Sequence, residues 1–175
     1  MQDSIVDKSP VALRAVEAKR ARASALDFKR YVPALLLHVS NKMSTGANAV
    51  YRRNFGIGVT EWRVLALLAS EPNVSAQRIC EMIGFDKAIV SRVVKSLQAR
   101  GDVTVLPDAA DSRKHRLVLS AKGRKLHDRI MLVALERERR MLTGFSHREV
   151  EVLRDLLHRL HANLPLANGY DPQKE

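Results

Sequence analysis

The stretch that decides the fold is Ser75–Gly101, which reads SAQRICEMIGFDKAIVSRVVKSLQARG. Residues 75–83 have the pattern of a short helix, and Gly84 with Phe85 forms a tight turn. Asp86 suits the N-cap of a second helix that runs to Arg100 and is closed by Gly101, because Asp accepts hydrogen bonds from first-turn amides and Gly tolerates the left-handed end. Two helices joined by a tight turn are therefore expected.

The residues that follow predict a β-hairpin. Val103–Leu106 and Arg116–Leu119 have β-type composition, and the charged tip between them spans residues 107–115. The tip is basic, with Arg113, Lys114 and His115. The order helix, turn, helix, hairpin is that of a winged helix-turn-helix, a mainly α fold with a small β-hairpin wing (α+β).

The second helix has two faces. Its apolar residues recur at the spacing of one stripe, formed by Ile89, Val90, Val93, Val94 and Leu97. The outward residues include the predicted DNA contacts Lys87, Ser91, Arg92 and Lys95. Arg and Lys reach guanine acceptors in the major groove, while cations of the tip (Arg113, Lys114, His115) suit phosphates or a narrow minor groove. A merely solvated face is the alternative interpretation of this helix taken alone.

Several motifs in this order resemble the MarR (multiple antibiotic resistance regulator) family of transcription factors. They are Thr60–Leu68, Ile89–Leu97 with Arg100-Gly101, Pro107-Asp108, Asp111-Ser112-Arg113, and Leu119-Ser120 with Gly123. The resemblance covers roughly residues 28–164. It implies that Ser91, Arg92 and Lys95 contact DNA from the recognition helix and that Arg113 is the wing arginine. Val105 and Leu106 depart from the basic residues that many members carry before the wing Pro.

Composition agrees with a nucleic-acid partner. The chain has 175 residues, a net charge of +11 and a pI near 10.3. Such a charge favours a polyanion, with DNA as the first candidate and an anionic membrane surface as the second. No apolar run approaches the roughly 20 residues that span a bilayer, and the polar N-terminus does not resemble a signal peptide. We therefore expect a cytoplasmic protein with no membrane partner.

Helical patterns flank the winged unit and have more apolar surface than that unit can cover. They occupy about residues 28–53 and 121–164, with Thr60 expected as the N-cap of the Trp62 helix and residues 146–149 as a capping box. The surplus predicts a homodimer through these helices, as the resemblance also implies. The expected organisation is a basic extension at 1–27, partly disordered or an extra helix, a MarR-like domain at 28–165 and a disordered tail at 166–175.

A two-fold dimer predicts an inverted-repeat operator in double-stranded DNA. We hypothesise that the protein is a repressor and that a small molecule releases it from the operator by holding the two recognition helices at a separation that does not fit the half-sites. His38 and Trp62 are the candidate ligand-binding residues, because an imidazole beside an indole suits an aromatic acid. The alternative is that Trp62 is a core residue and His38 an ordinary helix histidine.

Other classes of function have weaker support in the sequence. The sequence contains no Gly-rich phosphate loop, no nucleophile elbow and no acid pair with an obvious shared site. We therefore expect that the protein is not an enzyme and has no catalytic residues and no cofactor. The single cysteine, Cys80, excludes a multi-cysteine metal site, and no metal ligands are assigned. A redox role of Cys80, a metal-sensing role of His158 with His161, and a sequence-indifferent architectural DNA binder remain the alternatives.

Overall fold

The computed structural model describes residues 26–71, 73–107 and 115–173, which form two compact units divided between Val59 and Thr60. The predicted basic extension at 1–27 therefore lies almost wholly outside the described residues. Six helices and a two-stranded antiparallel hairpin are described, so the mainly α fold with a β wing is confirmed. None of the described helices is long and apolar enough to cross a membrane.

The first unit contains helix α1, Val32–Phe55. It starts four residues later than Phe28, because Pro33 suits the first turn of a helix, where its missing amide needs no partner, and because Asp27 closes a separate turn by accepting a hydrogen bond from the Lys29 amide at 2.9 Å. Gly56 ends the helix in the left-handed region at φ 69°. α1 is largely exposed, and Ala47 and Tyr51 are its buried residues.

Helix α2 spans Val59–Ser70, and all of it after Val59 belongs to the second unit. The prediction that Thr60 caps this helix is wrong, because the helix begins at Val59, two residues before the start that such a cap implies, and Thr60 lies within its first turn. The side chain of Asn48 explains the difference, since its Oδ1 accepts a hydrogen bond from the Val59 amide at 3.2 Å and satisfies a first-turn donor.

The helix-turn-helix consists of α3, Ala76–Ile83, and α4, Lys87–Ala99. Ser75 is the N-cap of α3, where its hydroxyl accepts a hydrogen bond from the Arg78 amide at 3.1 Å. Gly84 makes the turn at φ 73°, a conformation that L side chains rarely adopt. The buried side chains around the two helices are Val64, Leu65, Leu67, Leu68, Val74, Ile79, Val90, Val93, Val94 and Leu97.

The wing is formed by β1, Val103–Pro107, and β2, His115–Leu119, which pair antiparallel with Val103 opposite Leu119 and Pro107 opposite His115. A bridge between Val74 and Leu117 adds a third backbone segment on the other edge of β2. The buried side chains of Val103 and Leu117 anchor the base of this hairpin in the core.

Two long helices complete the second unit, α5 at Ala121–Met141 and α6 at His147–Gly169. The predicted capping box at α6 is present: Ser146 Oγ accepts a hydrogen bond from the Glu149 amide, and Glu149 accepts one from the Ser146 amide at 2.7 Å. Residues 166–169, which we expected to belong to a disordered tail, are helical. Pro165 lies inside this helix, none of whose residues is buried.

Candidate nucleic-acid interface

Helix α4 is fixed at both ends by its own sequence. Asp86 caps the start, where its Oδ1 accepts a hydrogen bond from the Ile89 amide at 2.8 Å. At the end, the Gly101 amide donates to the Gln98 carbonyl and the Asp102 amide donates to the Leu97 carbonyl, the two bonds of a Schellman motif. Gly101 takes the required left-handed conformation at φ 73°. The helix therefore has defined limits and a fixed rotation.

That rotation divides α4 into a buried and an exposed face. Val90, Val93, Val94 and Leu97 are buried, as the apolar stripe predicts, and Ile89 is half-buried. All four predicted contacts on this helix, Lys87, Ser91, Arg92 and Lys95, are exposed. Lys87, Ser91 and Lys95 are four residues apart, so they form one line about 12 Å long at the usual helical rise. This length is comparable to the width of the B-DNA major groove.

The cations of this face have no carboxylate partner in the described part of the chain. None of Lys87, Arg92 and Lys95 forms an ion pair with a residue in the described ranges. The neighbouring acidic residue, Asp86, is occupied as the N-cap. The positive charge of the face is therefore available to phosphate or to base acceptors.

The wing is held against the helix-turn-helix by a loop contact. Arg116 donates a hydrogen bond from its guanidinium to the Asn73 carbonyl at 3.1 Å, next to the Val74 bridge. His115 is exposed at the outer end of β2. The other two predicted wing contacts, Arg113 and Lys114, lie outside the described residues, as does Asp111.

Two cations near the turn were missed by the sequence analysis. The Arg63 guanidinium lies 5.7 Å from the centre of the Phe85 ring, a cation–π contact between α2 and the turn. Arg78 forms two hydrogen bonds to Glu71, each 3.1 Å, and these hold the pKa of the Glu71 carboxyl below its usual range. No spacing rule for a single helix indicates either contact, because each joins two elements.

The two candidate ligand residues belong to different units. His38 is an exposed residue of α1 in the first unit, and Trp62 is a half-buried residue of α2 in the second. The ring that stacks on Trp62 is His127 of α5, with centroids 5.3 Å apart and planes 21° apart. His127 is buried, and its Nδ1 lies 2.8 Å from Asp128 Oδ1. The burial of His127 could have been predicted from the sequence, because Gly123, His127 and Ile130 follow the i, i+4, i+7 spacing of a buried helix face.

Cys80 and the pair His158 and His161 are the residues of the alternative redox and metal-sensing hypotheses. Cys80 is half-buried on α3, and the nearby Arg78 forms ion pairs with Glu71 at 3.1 Å and with Glu81 at 3.9 Å. His158 and His161 are exposed on α6. In residues 26–71, 73–107 and 115–173, no three His, Cys, Asp or Glu side chains are grouped as they are around a metal ion.

An exposed polar helix face next to a β-hairpin is the arrangement of a winged helix-turn-helix DNA-binding module. The model of the MarR family matches residues 55–114. A crystal structure of a MarR/EmrR family transcriptional regulator from Acinetobacter sp. ADP1 superposes with a TM-score of 0.76 at 32% identity, covering 81% of this chain and 99% of that one. This chain belongs to the MarR family of DNA-binding transcriptional regulators.

Two further relatives agree with that assignment. The helix-turn-helix-type transcriptional regulator YybA of Bacillus subtilis is 26% identical over 104 residues, which are 59% of this chain and 69% of that protein. The structure of Bordetella bronchiseptica BpsR, whose DNA binding is regulated by 6-hydroxynicotinic acid, superposes with a TM-score of 0.61 at 22% identity over 73% of this chain and 98% of that one. The second likeness concerns the fold alone.

Proposed function

We propose that the chain is a homodimeric repressor that binds an inverted-repeat operator and releases it when a small ligand binds. The observation that carries the proposal is the exposed face of α4, on which Lys87, Ser91, Arg92 and Lys95 stand without a carboxylate partner among the described residues. Side chains of these types read base edges in the major groove, while His115 and the predicted contacts Arg113 and Lys114 engage the backbone or the minor groove.

The apolar surface of α6 supports the dimer. No residue of this helix is buried in the single chain, although it exposes a row of large apolar side chains: Leu153, Leu156, Leu157, Leu160 and Leu164. An amphipathic helix is stable in water only when its apolar face is covered, and a two-fold partner covers it. Two recognition helices then meet half-sites about 34 Å apart on the same side of the duplex.

Ligand control is supported by the structural likeness to BpsR, whose DNA binding is regulated by 6-hydroxynicotinic acid. We assign the effector to the class of small aromatic acids, with His38 and Trp62 as candidate contacts. Because His127 already covers one face of the Trp62 ring, a ligand that reaches this indole must use its other face or displace the imidazole. A change in Trp62 fluorescence on titration with aromatic acids is the expected sign, since Trp62 is the single tryptophan.

A second candidate, a sequence-indifferent architectural DNA binder, is favoured by the net charge of +11 alone. The two functions differ in one measurable quantity. A repressor binds its operator roughly a thousand-fold more tightly than random duplex, whereas an architectural protein binds both alike and loses affinity steeply with salt.

The experiment is a competition assay with duplexes tiled across the promoter region upstream of the coding gene, against random DNA at near-physiological salt. Repression predicts one tight site, an inverted repeat, bound by a dimer. Arg92→Ala should weaken that site by about 1–3 kcal/mol and relax its sequence preference. Arg159→Ala on α6, a matched loss of one exposed arginine, should leave both unchanged. Equal binding of all duplexes supports the architectural function instead.

A further inference from the structure

Three elements of the winged unit meet at Asp102, a fully buried residue between α4 and β1. Its amide closes the end of α4 by donating to the Leu97 carbonyl at 2.9 Å. Its own carbonyl accepts hydrogen bonds from the amide and the hydroxyl of Ser120, at 3.1 and 3.2 Å, just before α5. The recognition helix, the wing and the long helix α5 are thus joined through one residue.

The start of α5 lies very close to this junction. The Ser120 hydroxyl shares its one proton between the Asp102 carbonyl and the Gly101 carbonyl, which is 2.7 Å away, and it accepts a hydrogen bond from the Gly123 amide at 2.9 Å. A Cβ atom at Gly123 would lie 1.9 Å from the Asp102 carbonyl oxygen, which is less than any real contact. The backbone of Gly123 therefore packs directly against the backbone of Asp102, so a small displacement of α5 should also displace the start of β1.

The Asp102 side chain adds a charge to this junction. Its Oδ2 accepts a hydrogen bond from Arg100 Nε at 2.8 Å, and its Oδ1 lies 3.8 Å from Lys122 Nζ. Oδ1 accepts no hydrogen bond from any residue in the described ranges, while Lys122 Nζ donates to the Arg100 carbonyl. The carboxylate thus lies between a cation at the end of α4 and a cation at the start of α5.

A buried carboxylate of this kind is poor evidence for stability. Removing a charge from water is costly, and an apolar side chain of similar size often fills such a site at least as well. An ion pair that is only partly hydrogen-bonded needs another explanation. Fixing one relative position of two elements is the best-attested use of such pairs.

We propose that Asp102, with Arg100 and Lys122, is a positioning device that sets the angle between the recognition helix, the wing and α5, and thereby the discrimination between operator and other DNA. The inference rests on the proposed operator-specific function. Asp102 itself contacts no DNA, because its side chain is fully buried. It acts through the two cations and the backbone that it holds.

The sign of the effect separates positioning from direct contact. Side chains of Arg100 and Lys122 are 36% and 64% exposed, so Asp102 neutralises part of a positive charge that solvent and phosphate can reach. Loss of the carboxylate should leave binding to random DNA equal or tighter, because the negative charge that offsets two nearby cations is removed. Binding to the operator should weaken, because the helix and the wing no longer fit together. A residue that touched phosphate would weaken both.

The first test measures operator and random-DNA affinity for Asp102→Asn, Lys122→Met and the control Lys122→Arg. We expect the operator-to-random ratio to fall roughly tenfold in the first two, a typical coupling between sites, and to be retained in Lys122→Arg, which keeps the cation. An unchanged ratio in a folded, dimeric Asp102→Asn protein overturns the proposal. Should that variant fail to fold, Lys122→Met decides, because its side chain is mostly exposed.

The second test follows amide hydrogen exchange without DNA. Exchange should accelerate at residues 101–107 and 120–124 in Asp102→Asn and Lys122→Met, and should stay unchanged in α2. Unaltered exchange in both variants refutes the proposed positioning role of Asp102. If the native protein shows no operator preference but exchange responds as expected, the proposed function fails while the positioning of the three elements stands, so the two failures are distinguishable.

Discussion

At the scale of single residues, Gly123 stands at a position with no room for a side chain. The Asp102 carbonyl oxygen occupies the position that a Cβ would need, so Gly123→Ala must push α5 away from the wing. We expect the free energy of unfolding to fall by about 2 kcal/mol, the usual cost of overpacking, and operator affinity to fall with it. Gly169→Ala is the matched control, because open space surrounds that glycine. Denaturant unfolding of both variants gives the comparison, and equal stabilities would contradict the close contact.

His127 is the second residue with a defined and testable role. Its ring stacks on Trp62 and is only 8% exposed, so His127→Ala removes an aromatic pair and leaves a cavity. A loss of about 2 kcal/mol in unfolding free energy is expected, together with a changed emission spectrum of Trp62. His161→Ala, on the exposed face of α6, should change neither. A stable His127→Ala protein with native fluorescence would show that the stack contributes nothing.

At the scale of the element, the start of α6 should be sensitive to acid. Hydrogen bonds from the Ser146 amide and then the Ser146 hydroxyl hold the pKa of the Glu149 carboxyl below its usual range. A carboxyl with a lowered folded pKa contributes stability above its unfolded pKa, near 4.3, and that contribution disappears as the pH falls through the folded value. The free energy of unfolding, measured with denaturant and circular dichroism, should therefore exceed that of Glu149→Ala at pH 6, and this difference should shrink towards zero as the pH falls to 2.

The cap itself can be tested at neutral pH. Ser146→Ala removes the acceptor for the Glu149 amide and should lower the unfolding free energy by about 1 kcal/mol. Ser146→Asp keeps an acceptor and should retain most of it. If both substitutions have the same effect, the hydroxyl is not the cap.

The ends of helices and strands were predicted well where they depend on residues nearby in the sequence, and poorly where they depend on distant ones. The caps at Asp86 and Ser146, the left-handed Gly84 and Gly101, and both strands were correct to within about one residue, because each depends on neighbours in the chain. The start of α2 was misplaced because its cap comes from Asn48, eleven residues away. The end of α6 was also misplaced, because residues 166–169 were expected in a disordered tail whereas the helix continues through Pro165 to Gly169.

The candidate site was predictable to the same extent. The exposed face of α4 followed from periodicity alone, and all four of its predicted contacts are on that face. The contacts of Asp102 with Ser120 and Lys122, and the stack of His127 on Trp62, join residues 18 to 65 positions apart. Such pairs leave no local pattern, because any of many polar residues could have met across the fold.

At the scale of the whole molecule, a large apolar surface and a large positive charge are combined. The chain carries 30 cations against 19 anions, so two copies approach against a net repulsion of like charges. The apolar row on α6 must outweigh that repulsion, and added salt should assist by screening it. Dimerisation is therefore expected to strengthen with salt, whereas DNA binding weakens with salt.

The proposed dimer can also be tested by substitution. Leu157→Glu places a charge in the apolar row and should yield monomers of about half the native mass in sedimentation, with a melting temperature that no longer rises with protein concentration. Because each half-site alone supplies only part of the contacts, operator affinity should fall by at least a hundred-fold, while random-DNA affinity falls much less. Arg159→Glu, on the polar side of the same helix, is the control and should remain dimeric. A native protein that sediments as a 19.6 kDa species at all salt concentrations would remove the dimer from the proposal.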